Sequence, residues 1–174
     1  MSLPPIYPPD AVVPFREELT AVGFEQLSTP DQVDEAVRST KGTLLCVINS
    51  VCGCAAGSAR PGVGIALQHR VIPDRLITVF AGMEREAVER VRELHAEAAP
   101  PSSPSIVLFK DGRVAAMMPR SEIEGRTPQE IAQGLVSVFD KFCARPGPSI
   151  PPDQFSKLSH IKMCGSQIPR FGGM

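Results

Sequence analysis

The sequence predicts an α/β domain whose mixed central sheet is covered by helices on both faces. Apolar, β-branched runs at residues 43–48, 76–81 and 105–109 read as buried strands. Amphipathic helical segments alternate with them, the pattern of βα units in a parallel sheet. Asp111-Gly112 then marks a type I′ hairpin, so residues 113–118 return antiparallel and make the sheet mixed.

The elements follow in order. Residues 1–9 are Pro-rich and read as irregular. Pro14 suits a first helical turn, Phe15, Leu19 and Val22 follow at helical spacing, and Gly23 sits where a helix stops. Phe24 to Leu27 is a short strand. Thr29-Pro30-Asp31-Gln32 reads as N-cap, N1 proline and capping-box Gln, launching a helix with Val33, Ala36 and Val37 inward. The strand 43–48 runs into a polar turn at Asn49-Ser50 and then Cys52-Gly53-Cys54. The Ala-rich stretch beyond reads as a helix kinked by Pro61, about two turns in. A second strand leads to an amphipathic helix over 84–98, with Ala87, Val88, Val91, Leu94 and Ala98 on one face. Prolines 100, 101 and 104 break it before the third strand. Thr127-Pro128-Gln129-Glu130 is a second capping box, opening a helix that buries Ile131, Leu135, Val138, Phe139 and Phe142.

Composition narrows the function. A chain of 174 residues with 43% hydrophobic content suits one core. A net charge of −1 gives no electrostatic reason to expect nucleic acid or an anionic membrane as partner. No apolar run approaches the roughly 20 residues that span a bilayer. The N-terminal residues carry neither a basic nor an apolar signal region, which makes the cytoplasm the expected compartment. Dithiols there are usually catalytic or metal-binding, and five cysteines do not make a closed disulfide framework.

Strand, cysteine pair and helix N-terminus in succession form the layout of a thiol-disulfide site. A helix start offers unpaired N–H groups and partial positive charge, both of which favour thiolate over thiol. Cys52, at the strand-to-helix junction, is the candidate nucleophile. Cys54, expected deeper in the first turn, is the candidate resolving thiol. No His, Lys or Asp lies within two residues of the pair; Arg60 either contributes charge or is merely solvated.

Asn49-Ser50-Val51-Cys52-Gly53-Cys54-Ala55-Ala56-Gly57, followed by Ala59-Arg60-Pro61, resembles the bacilliredoxin family, thioredoxin-like proteins with CGC in place of CxxC. Arg16 to Thr20, Val79 to Gly82, Pro101 to Ser105 and Pro119 to Arg126 are similar too, with Ser121 where His is expected. The likeness runs from about residue 8 to Cys143. It implies a thioredoxin-like fold and an enzyme that removes bacillithiol from mixed disulfides on proteins. It implies no bound cofactor: the small thiol is cosubstrate, and thiolated clients are the partners. By the same resemblance Cys52 attacks and Cys54 is the second cysteine. Pro104 matches a proline with a cis peptide bond facing the sulfurs, leaving groups of Ser103 to pair with substrate. Asn49, Gly53 and Arg60 support the site.

Within this class, a general disulfide isomerase or reductase is the alternative. A redox sensor and a metal-binding module are others, the latter drawing ligands from Cys46, Cys143, Cys164, His69, His95 and His160. Cys46 reads as core, and His69 and His95 as solvent-facing. The expected domain spans 1–143. Residues 144–174 are a Pro-rich linker and extension, with Phe155 and Leu158 suited to a docking turn. A tail swapped with a second copy would make a homodimer.

Overall fold

The computed structural model describes residues 2–159 and 168–171. Five strands form the main sheet: β1 (Glu25–Gln26), β2 (Thr43–Asn49), β4 (Arg75–Phe80), β5 (Ser105–Lys110) and β6 (Arg113–Met118). Their order is β1-β4-β2-β5-β6. Strands β1, β4 and β2 run parallel, whereas β5 and β6 are antiparallel to their neighbours. This is the mixed sheet of a thioredoxin-like fold.

Period-two alternation sends the central strand's side chains to two cores. Leu45 and Val47 face one core with α1 (Pro9–Thr20), α3 (Arg60–Ala66) and α6 (Pro128–Phe142). Leu44, Cys46 and Ile48 face the other, with α2 (Pro30–Ser39) and α4 (Arg85–Leu94). Every residue of β2 is buried, as befits the middle strand. Both expected capping boxes are present, Thr29 with Gln32 and Thr127 with Glu130, each with a proline in the first turn. Asp111 (φ 49°) and Gly112 (φ 80°) supply the positive angles of the type I′ turn.

Several expectations are corrected. Asn49 is no turn residue but the buried last residue of β2. The helix after the cysteines is not a simple kinked α-helix. Residues 55–59 form a π-helical turn, and the Arg60 N–H bonds the Ala55 carbonyl, five residues back. Pro61 explains it: the ring has no N–H and crowds the carbonyl four residues earlier, so the turn before it widens. The helix expected over 84–98 ends at Leu94, because residues beyond it tighten into turns in which Ala98 bonds the His95 carbonyl at 2.8 Å. His95 lies in those turns and is 1% exposed rather than solvent-facing.

The segment read as a linker is attached to the body. Its β7 (Arg145–Pro146) pairs with β3 (Val71–Ile72), two strands too short to show a sequence period. The helix α7 (Pro152–Ser156) follows, and Phe155 and Leu158 pack against the first core. Cys164 and His160 lie outside the described residues.

Helices α3 and α6 meet through Gly62, where a Cβ would come within 2.6 Å of the Ile131 Cβ and 3.0 Å of the Pro128 carbonyl. Gly62→Ala is expected to destabilise the protein by about 1–3 kcal/mol through overpacking, read as a lower urea midpoint at constant slope.

Candidate active site

Strand β2 delivers the chain to the site, and the side chain of its last residue, Asn49, fixes the exit. The buried Asn49 amide donates to the Phe15 carbonyl at 3.0 Å, and its oxygen accepts the Ser50 N–H at 2.8 Å. The Ser50 hydroxyl in turn accepts the Cys52 N–H at 3.1 Å. The Cys52 carbonyl receives the N–H groups of Ala55 and Ala56 and so starts the helix. These bonds fix Cys52 at the strand-to-helix junction, half-buried, at the lip of a cleft of about 840 Å³. Gly53 is exposed between the cysteines, and neither cysteine is in a disulfide.

Cys54 is not deeper than Cys52; both are half-buried. Its thiol lies 3.7 Å from the Glu124 carboxylate and donates to it. Burial raises the Cys54 pKa from its ordinary value, and the neighbouring Cys52 and Glu124 add to the rise against the pull of Arg120. Arg120 opens the short helix α5 (Arg120–Ile123) and pairs with Glu124 at 2.7 Å. That pair holds the Glu124 carboxyl below its usual range.

Arg60 is not solvated: it is 1% exposed, the largest fully buried side chain among the described residues. Its guanidinium donates to Glu18 at 3.1 Å, to the Asn49 oxygen at 3.1 Å and to the Ser50 carbonyl at 2.7 Å. It also stacks over Phe15, 5.0 Å from the ring centre. Burial lowers its pKa; Glu18 and the nearby Cys52 sulfur oppose this. The charge missing beside the cysteines in sequence therefore arrives from beneath, carried by the next helical segment.

The Ser103–Pro104 peptide is cis, and Ser103 lines the same cleft as Cys52. The Ser103 carbonyl is not free, because the Arg120 guanidinium donates to it at 3.2 Å. The Arg120 N–H also bonds the Ser102 hydroxyl. Sequence reasoning missed Glu18, Arg120 and Glu124. The last two carried a signal, a pair of opposite charges at i,i+4; Glu18 carried only its place in the family-like stretch Arg16 to Thr20.

Among the described residues no three of His, Cys, Asp and Glu converge as metal ligands. Cys46 is core, its thiol pushed up to about 12 by burial. Burial also raises Cys143, at the end of α6. The His69 ring lies against Asp140 at 2.8 Å. No described helix is long and apolar enough to cross a membrane.

The Glu18–Arg60 pair, with both side chains buried, gives a stability prediction. Glu18→Ala strands the guanidinium without a carboxylate and is expected to cost about 3–5 kcal/mol in urea unfolding. The double replacement Glu18→Leu with Arg60→Met is expected to recover most of that loss.

The family model described as "Disulphide isomerase" matches residues 7–143. A bacilliredoxin of Koribacter versatilis is 50% identical over 138 residues, covering 79% of this chain and 94% of that protein. A bacilliredoxin of Salinibacter ruber is 49% identical over 167 residues, covering 94% of this chain and 95% of its own, so that match reaches past Cys143 into the extension. The solved Malassezia sympodialis thioredoxin has a TM-score of 0.40 at 15% identity, covering 66% of this chain and 90% of its own. Strand order and direction are those of the thioredoxin-like fold. With half the positions shared across nearly the whole length of a named relative, the chain belongs to the bacilliredoxin family of thiol-disulfide oxidoreductases.

Proposed function

We propose that this protein removes bacillithiol from mixed disulfides on cytoplasmic proteins, with Cys52 as nucleophile and Cys54 as resolving thiol. The observation that carries the reading is the difference in surroundings between two half-buried cysteines. The Cys54 proton is held by a hydrogen bond to Glu124, whereas Cys52 opens on the cleft with the Arg60 charge behind it.

The Cys52 thiolate attacks the bacillithiol sulfur of the mixed disulfide. The client sulfur leaves with the electron pair and takes up a proton, and Cys52 keeps bacillithiol in a new disulfide. A second bacillithiol then attacks the bacillithiol sulfur of that adduct, freeing Cys52 and forming bacillithiol disulfide. Alternatively Cys54 loses its proton and attacks the Cys52 sulfur. Bacillithiol leaves, and a Cys52–Cys54 disulfide awaits an external reductant. Ser103 lines the cleft that the incoming disulfide enters, with Pro104 buried next to it in the chain; Asn49 and Gly53 flank the turn carrying Cys52. Bacillithiol serves as cosubstrate, with no resident cofactor. The description of the family model favours a second reading, disulfide reduction or isomerisation in clients, by the same two sulfurs.

The test takes reduced protein, adds a bacillithiolated model protein, quenches with acid and reads intact mass. One bacillithiol on Cys52, persisting in Cys54→Ser, is the expected outcome. Loss of two protons without an adduct favours the dithiol reductase. An adduct on Cys54 in the unaltered protein reverses the roles.

Glu124 gives a pH prediction. Its negative charge and its hydrogen bond both hold the proton on Cys54, so resolution is expected to quicken as pH rises through the raised Cys54 pKa. Glu124→Ala removes both influences and is expected to move that alkaline limb to lower pH in single-turnover release of the adduct.

A further inference from the structure

The cleft at Cys52 has a polarity that the net charge of −1 does not foreshadow. Arg92, Arg120 and Arg170 line it, with no carboxylate among its described lining residues. Glu89 pairs with Arg92 at 2.6 Å and Glu124 with Arg120 at 2.7 Å, but neither acid is part of the lining. The Arg92 Nε is buried without an acceptor among the described residues. Arg170 stacks over the Tyr7 ring at 5.9 Å and has no ion pair among the described residues. Each arginine comes from a different part of the fold: Arg92 from α4, Arg120 from α5, and Arg170 from the extension beyond Cys143.

The extension is anchored where it meets the cleft. Ile168 packs against the small core of Tyr7, Phe15, Val51 and Phe80, and the Phe171 N–H bonds the Ile6 carbonyl at 2.6 Å. Ile6, Tyr7 and Ile168 give the cleft an apolar portion beside its arginines. A volume of about 840 Å³ falls in the range of small-molecule sites, roughly 300–1,000 Å³.

We propose that this cleft is a subsite for the carboxylate of an anionic low-molecular-weight thiol, with Arg170 of the C-terminal extension as a specificity-determining residue. The inference deepens the proposed dethiolation and rests on Cys52 as the sulfur that accepts the small thiol. The arginines hold the carboxylate end, the apolar portion takes the body, and the thiol sulfur is presented to Cys52. Arg170, without an ion pair among the described residues, is the donor that such a ligand completes, beside the guanidinium groups of Arg92 and Arg120.

Three probes of similar size test it: the 2-pyridyl disulfides of 3-mercaptopropionate, 2-mercaptoethanol and cysteamine, ending in a carboxylate, a hydroxyl and an ammonium. The Cys52 thiolate attacks the alkyl sulfur and the S–S bond breaks. 2-Thiopyridone leaves with the electron pair and takes up a proton, and Cys52 retains the small thiol. Release is followed by absorbance on the full reduced chain, and peptide mass after acid quench selects the phase that labels Cys52. Each rate is divided by the rate of the same probe with free cysteine.

The carboxylate probe is expected to outpace the ammonium probe by about tenfold at low salt, a preference that shrinks at about 0.5 M salt. Arg170→Glu is expected to cut the preference by about fivefold or more, and Arg170→Lys to retain most of it. Equal corrected rates for all three probes, or a preference indifferent to Arg170→Glu, overturn the subsite. The probes need no client and no turnover, so the two readings fail separately. A carboxylate preference without release of bacillithiol from a client supports the subsite and removes the proposed reaction. Release of bacillithiol without a preference does the reverse.

Discussion

A guanidinium buried in a protein has lost its water and must find acceptors in the fold, at a cost of several kcal/mol if it does not. Arg60 finds them for Nε in Glu18 and for Nη1 in the Asn49 side chain and the Ser50 carbonyl, while its buried Nη2 has no acceptor among the described residues. These groups come from α1, from the end of β2 and from the turn that carries the cysteines. One side chain thus binds three parts of the chain into a fixed relation. Asn49 doubles the link by donating to Phe15 of α1 and accepting the Ser50 N–H. The position of Cys52 follows, since its N–H hangs from Ser50. The guanidinium, paired with Glu18, also lies near enough to the Cys52 sulfur to interact with it, shielded from solvent and therefore little screened by salt.

The second cysteine is governed from the opposite side. Glu124 and Arg120 are partly exposed, so their pair is worth little to stability. Its use is geometric. It ties the loop of Ser102 and Ser103 to the region of Cys54, placing the cis-proline loop, the hydrogen-bonded thiol and the cleft in one network. The two sulfurs, one residue apart in the chain, sit in unlike electrostatic surroundings.

Much of the fold was legible because its signals are local. The two capping boxes, the Asp111-Gly112 turn and the β-branched runs each specify structure within a few residues, and each appears where expected. The strand-cysteine-helix succession placed Cys52 for the same reason. Arg60 was ambiguous because its partners lie 42 and 11 residues away, and a buried arginine has no local pattern that separates it from a solvated one. His95 misled because an amphipathic period continues past Leu94 after the helix has stopped. The pairing of β3 with β7 involves two residues on each side, too few for periodicity to register.

The π-helical turn at residues 55–59 has a consequence for chain length. In helical register it equals one inserted residue, absorbed without interrupting the helix. An unbroken α-helix advances about 100° per residue, so everything before the turn is about that far out of phase with what a uniform helix would give. The cysteine pair lies on one side of this phase step, Arg60 and the core-facing residues of α3 on the other. The segment separates the aim of the sulfurs from the packing of the helix. A related chain that lost one residue here could keep its core and its hydrophobic pattern, yet point its cysteines away from the guanidinium.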